Sequence, residues 1–224
     1  GIYWAWPEVE LRGQRGDLHA LQRVFSRPFG APRLLSGAES AVIVAESRWM
    51  WEDKEPIVHE RAAIRAHRID PTGRIVDLVL RFDALTDGVT LARRNTDLYG
   101  GLNIRLAPFR EQQIHFYTDP PEARPRMAWA DLTGVVETGA LCGLTVLQHP
   151  ANPDYPGDWV KYPDLNWLQP TFPAARTRFA LRPGRPLVLR YRLWIHGSCP
   201  PSPALRQQWR TYATAPSWGK AGIP

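Results

Sequence analysis

Lysine is almost missing from this chain. Of 28 basic residues only Lys54, Lys161 and Lys220 are lysine, and the remaining 25 are arginine. Cysteine is equally scarce. Cys142 and Cys199 stand alone, far apart, with no metal-type spacing, so a zinc ribbon or a disulfide scaffold is excluded. One disulfide and two free thiols both fit, which leaves the redox compartment open. No apolar run approaches the roughly 18–20 residues that a bilayer requires, and a membrane-spanning reading is rejected. The opening Gly1-Ile2-Tyr3-Trp4-Ala5-Trp6 has neither initiator methionine nor basic leader nor small-residue cleavage site. It does not read as a signal peptide, and so abrupt a start suggests a processed or trimmed piece.

What is present is a globular composition of 44% hydrophobic and 22% charged residues, which argues against disorder. The net charge is +6. Nucleic-acid binders gather such charge into a patch or run, whereas Arg61, Arg65, Arg68, Arg74 and Arg81 alternate with apolar residues or sit beside acids. No nucleic-acid partner is expected. These arginines read as solvated strand faces or as planar forks for hydroxyl- and carboxylate-bearing ligands.

The 22 prolines and 17 glycines punctuate short runs of Val, Ile, Leu, Tyr and Trp, as in an all-β protein. No repeat and no long polar linker interrupts the chain, so one antiparallel β-sandwich domain over 1–224 is expected. Expected strands cover 40–47, 57–69, 74–85, 99–106, 112–118, 127–133, 141–149 and 187–196, with Asp70-Pro71-Thr72-Gly73 as a hairpin turn. Spacing near four through Leu205, Gln208, Trp209 and Tyr212 predicts a C-terminal helix capped by Ser202, and 16–25 is a second, weaker helical segment.

Alternation along a strand sends successive side chains to opposite faces. It places Glu60 among Val58, Ala62 and Ile64, where a carboxylate must be paired as a salt bridge or serve as a functional acid. It puts Tyr99, Asn103 and Arg105 together, with open space beside Gly100-Gly101, and likewise Arg190, Arg192, Trp194 and His196. If both polar faces share one sheet they form a groove suited to sugars, which need planar donors for hydroxyls and an aromatic plate for the ring's C–H face. Otherwise they are the wet outer side of a sandwich. The proline-rich run 148–159 would carry His149, Asn152, Asp158 and Trp159 in a stiff loop, either as binding groups or as internal turn formers.

Several ordered motifs carry a resemblance. They are the aromatic opening, Glu60-Arg61, Tyr99-Gly100-Gly101-Leu102-Asn103-Ile104-Arg105, Trp129-Ala130-Asp131-Leu132-Thr133-Gly134, His149-Pro150-Ala151-Asn152-Pro153 with Trp159, and the Pro170–Pro173 turn. Across most of the chain these resemble the PmoA-like family, itself similar to the galactose-mutarotase type of β-supersandwich. A membrane methane monooxygenase is dismissed, since no segment spans lipid. The resemblance implies a carbohydrate context without fixing a reaction. It further implies an upstream β segment and a His-His-Arg motif before Gly1, which this sequence lacks.

The expected function is a carbohydrate-active enzyme, acting on a small-molecule or oligosaccharide substrate by general acid–base chemistry without a cofactor. Glu60 or Asp131 would be the base and His149 the acid. Tyr99, Asn103, Arg105, Asn152, Trp159, Trp194 and His196 would hold the sugar. A non-catalytic carbohydrate-binding module is the first alternative. A metal-dependent hydrolase built on His59, His149, His196 and Asp131 is the second, although no metal-binding spacing is present.

Overall fold

The computed structural model describes residues 1–115 and 127–215. The protein is an all-β antiparallel sandwich with one C-terminal helix. The large sheet runs in the order β11 (Arg110–His115), β12 (Trp129–Val135), β13 (Leu141–Gln148), β17 (Leu187–His196), β8 (Arg74–Ala84), β7 (Glu55–His67), β6 (Ser40–Trp51) and β4 (Val24–Pro28). A ninth strand, β5 (Arg33–Ser36), also pairs with β6. A four-stranded sheet has the order β1 (Ile2–Ala5), β10 (Gly101–Arg105), β15 (Trp167–Pro170) and β14 (Trp159–Tyr162). A second one has β16 (Phe179–Leu181), β9 (Val89–Ala92), β2 (Glu8–Leu11) and β3 (Gln14–Gly16).

The core follows from alternation in the long strands. Leu78, Leu80 and Phe82 of β8, Leu187, Leu189, Tyr191 and Leu193 of β17, and Leu144 and Val146 of β13 all enter one buried cluster. Leu102, Ile104 and Leu168 of the first small sheet, and Val9, Val89 and Leu91 of the second, complete it from the other layer. Fully burying each such side chain contributes about 1.5–3 kcal/mol. At the seam, the Trp6 ring lies 5.2 Å edge-on from Phe82 and 5.6 Å from Trp49, and its indole N–H donates to Phe172 O.

The expected strands over 40–47, 57–69, 74–85, 141–149 and 187–196 correspond to β6, β7, β8, β13 and β17, with β17 matching at both ends. Residues 116–118 of the expected strand 112–118 lie outside the described residues. The segment 16–25 is no helix. Leu21 and Arg23 adopt φ of 54° and 64°, and Asp17 Oδ1 accepts from Ala20 N to form a tight turn between β3 and β4. Helix α1 (Ser202–Thr214) begins one residue earlier than expected, with Ser202 inside the helix rather than capping it. Pro201 occupies the capping position, and no side chain caps the end. Leu205 and Tyr212 of α1 are buried against Trp129, Leu147 and Trp194, so the outer face of the large sheet is covered at this end rather than wet. Both cysteines are free. Among the described residues no helix is long and apolar enough to cross a membrane.

The Asp70–Gly73 hairpin forms as expected. Asp70 Oδ1 accepts from both the backbone and the hydroxyl of Thr72. Gly73 sits at φ 131°, where an added Cβ would lie 2.0 Å from Ile195 O. Neither backbone can yield, and overpacking typically costs about 1–3 kcal/mol. Gly73→Ala is therefore expected to lower the unfolding free energy by at least that much in urea denaturation, with the denaturant slope unchanged. A loss below about 0.5 kcal/mol, the usual scale for surface substitutions, would contradict the packing described.

Candidate functional site

The polar face of the first small sheet carries the candidate site. Pairing sets Tyr3 across from Asn103, Arg105 across from Trp167, and Trp167 across from Tyr162. Asn103 and Gln169 fall opposite each other by the same register, which pairs Ile104 with Leu168 and Gly101 with Thr171. Strand alternation thus brings Tyr3, Asn103, Gln169, Arg105, Trp167 and Tyr162 onto one side.

Rings stand over this face. Tyr99 lies 5.3 Å from Trp167, and His19 stacks on Trp167 at 6.4 Å with an interplanar angle of 13°. The Arg105 guanidinium lies 5.3 Å above the Trp167 ring. Arg94 pairs with Asp17 at 2.7 Å and donates to Tyr99 Oη.

Beneath the rings the inventory of hydrogen bonds does not close. Asn103 Oδ1, Trp167 Nε1 and both polar atoms of the Gln169 amide are buried and have no partner. Asn103 and Gln169 are 0% exposed. Each unsatisfied group costs about 1–3 kcal/mol. Four such atoms on one face form an unusual concentration, since buried polar groups are overwhelmingly paired.

An adjoining pocket of about 370 Å³ lies within the size range of small-molecule sites, roughly 300–1,000 Å³. Tyr3, His19, Ser26 and Glu60 line it together with Trp4 and Leu18. Glu60 is buried, and it is not the salt bridge that alternation allowed. Its oxygens accept from the indoles of Trp4 at 2.8 Å and Trp49 at 2.6 Å. Burial raises its proton affinity, opposed by hydrogen bonds from Trp49, Trp4 and Ser47. Burial lowers the proton affinity of His19. Asp17 opposes that effect, and the charges of Arg94 and Arg105 add to it. Burial likewise raises that of Tyr3, although Arg105 works against it. Both groups are therefore neutral at pH 7, and the phenol is placed to donate to His19 Nε2 at 3.1 Å.

The other expected site residues lie elsewhere. Asp131 and His196 do meet, at 2.9 Å, but they sit within the large sheet at 1% and 0% side-chain exposure. Thr145 also donates to Asp131. His196 Nδ1 donates to the Ser198 carbonyl, which can only accept. Trp194 donates to Thr72 O in the cluster under α1. The shared groove is thereby overturned: Arg105 and Trp194 belong to different sheets. Gly100 and Gly101 border no open space, because an added Cβ would meet Arg93 Cα at 3.0 Å and Phe172 N at 3.2 Å respectively.

The proline-rich loop also uses its polar groups internally. His149 Nδ1 accepts from Ala151 N, and its ring meets Tyr212 edge-on at 5.1 Å. Asn152 exchanges two hydrogen bonds with the Arg190 backbone. Asp158 pairs with Arg93, and Trp159 donates to Met127 O. Glu60, Asp131 and His149 therefore occupy three separate environments. His59 is bonded to Glu46, so the four-residue metal constellation does not assemble. Among the described residues no group of three His, Cys, Asp or Glu side chains is placed to share a metal.

Of the expected binding residues, then, Tyr99, Asn103 and Arg105 come together, with Glu60 in the adjoining pocket. Sequence reasoning missed His19, Arg94, Tyr162, Trp167 and Gln169. Alternation in Trp167-Leu168-Gln169 was readable, but a four-residue strand ending on proline gives little period. His19, in a turn, gave no signal.

No curated protein matches the chain. A family model described as a family of unknown function, DUF6807, matches residues 1–210. That match replaces the resemblance to the PmoA-like and galactose-mutarotase groups, neither of which is found. The chain belongs to the family of unknown function DUF6807.

Proposed function

We propose that this protein is a carbohydrate-active enzyme that seats a saccharide on the Tyr99–Trp167 face and exchanges protons with it through His19 and Glu60. The observation carrying this reading is the set of four partnerless polar atoms on Asn103, Trp167 and Gln169 beside an aromatic wall. Saccharides present hydroxyls that both donate and accept, next to apolar C–H faces that pack on rings. A site for them needs amides and indoles with spare bonding capacity at the edge of an aromatic plate.

The chemistry would come from the adjoining pocket. A carboxyl raised by burial and an imidazole lowered by burial move toward each other's range, which suits proton transfer to and from a substrate near neutrality. Tyr3, hydrogen-bonded to His19, would orient the imidazole and relay its proton. One observation favours a purely binding role: both Glu60 oxygens are already engaged by indole N–H groups.

Three outcomes follow. Trp167→Ala should weaken saccharide binding by about tenfold or more in isothermal titration, the scale of losing an aromatic anchor. If no saccharide in a broad panel binds the wild type, the proposal fails; binding without product over days reassigns the site to a non-catalytic module. Gln169→Met should stabilise the free protein by about 1–3 kcal/mol by removing two unpaired polar atoms, while weakening binding; a loss of stability would mean that the amide is structurally satisfied. For catalysis, the neutral imidazole is the competent form, and burial extends it to lower pH. The acidic limb of kcat/KM should then fall below the ordinary imidazole value of 6.5. A limb at or above 6.5 would remove His19 from the base role.

A further inference from the structure

We infer that the saccharide recognised by this face is an acidic one, bearing a ring carboxylate of the uronic acid type that is held by Arg105. The inference rests on the saccharide-binding reading above and names its substrate class.

Charge bookkeeping around the wall carries it. Arg94 is neutralised by Asp17, whose side chain is 8% exposed. Glu60 is enclosed by two indoles, and burial favours its uncharged form. Burial favours the uncharged forms of His19 and Tyr3 as well. Arg105 remains. Its side chain is solvent-exposed, and no carboxylate among the described residues pairs with it. Among the described residues it therefore contributes an uncompensated positive charge to the face, and that charge reaches the Tyr3–His19 pair.

Geometry adds direction. The guanidinium is held over the Trp167 ring at 5.3 Å, and Trp167 is also the plate on which Tyr99 and His19 converge. Stacking leaves the in-plane N–H groups of an arginine free, and their fork matches a carboxylate in bidentate fashion. A pyranose packed beside that wall would present its exocyclic carboxylate to the fork. A neutral hexose would leave the guanidinium to solvent.

The test compares gluco-, galacto- and mannuronic disaccharides with their neutral hexose counterparts by isothermal titration, on the wild type and on Arg105→Gln. At least one uronide should bind about tenfold or more tightly than its neutral twin, the scale of a charge-assisted bidentate contact. Arg105→Gln should erase that preference, bringing the affinities for the uronide and its neutral twin within about twofold of each other. Equal affinity for acidic and neutral sugars overturns the inference while leaving saccharide binding intact. A preference that survives in Arg105→Gln overturns the assignment to Arg105. If neither class binds, the inference and the reading beneath it fall together.

Discussion

The carboxyl of Glu60 is the point where two layers of the sandwich are fastened. It lies on β7 of the large sheet and accepts from Trp49 of the neighbouring strand β6 and from Trp4 of β1 in the opposite layer. A carboxyl without partners there would cost several kcal/mol. Three donors offset much of that cost, yet the proton affinity remains raised, so compensation is incomplete. Beside it, Trp6 wedges between Trp49 and Phe82. Alternation then makes fastening and site two sides of one short segment, β1 and the Trp6 that follows it. Trp4 and Trp6 turn toward the seam, and Tyr3 turns outward to His19 and the aromatic wall. Whatever displaces β1 therefore moves the wall as well.

The arginine content is resolved largely on the outer sheet surfaces. Arg27 with Asp53 and Arg81 with Asp83 form two-pronged pairs at 2.7–2.8 Å. Exposed pairs of this kind contribute about 0–1 kcal/mol each. Arg192 is different. It is buried against Asp77, which also receives His67, and it lies 4.8 Å from the Tyr212 ring of α1. Removing one partner of such a pair strands a buried charge and costs about 3–5 kcal/mol. The interaction that neutralises Asp77 thus also seats the helix, which explains why a strand face that alternation marks as polar ends up covered.

The long strands were legible because they run for eight or more residues. β6, β7, β8, β13 and β17 each offer at least four alternations, enough to separate two faces. β1, β9, β14, β15 and β16 have three or four residues each, too few for a period to emerge, and Tyr3, Tyr162, Trp167 and Gln169 of the candidate site come from them. Alternation also says which residues share a side of one strand, never which sheet that strand joins. Arg105 and Trp194 were read alike for that reason, although β10 and β17 lie in different sheets. The contacts that decide the matter span 56 residues for Trp4–Glu60 and 166 for Trp6–Phe172. No local pattern encodes such distances. Tyr99, Asn103 and Arg105 were correctly grouped because they fall within seven residues.

Side-chain type alone does not separate satisfied from unsatisfied buried amides in this protein, but bonding inventory does. Asn152 and Gln169 carry the same chemical group and both are buried. Asn152 donates to Arg190 O and accepts from Arg190 N, each at 2.8 Å, so its amide continues the strand ladder where the backbone turns away. Its oxygen and its nitrogen are thus both engaged by the backbone. Gln169 has neither bond, and its neighbours Asn103 and Trp167 are also short of partners. Folding alone gains nothing from such a group, since an apolar residue of equal volume would spare its desolvation. An unpaired amide held rigidly within a sheet is instead hydrogen-bonding capacity already oriented at no further entropic cost, which is what a binding site requires and a core does not.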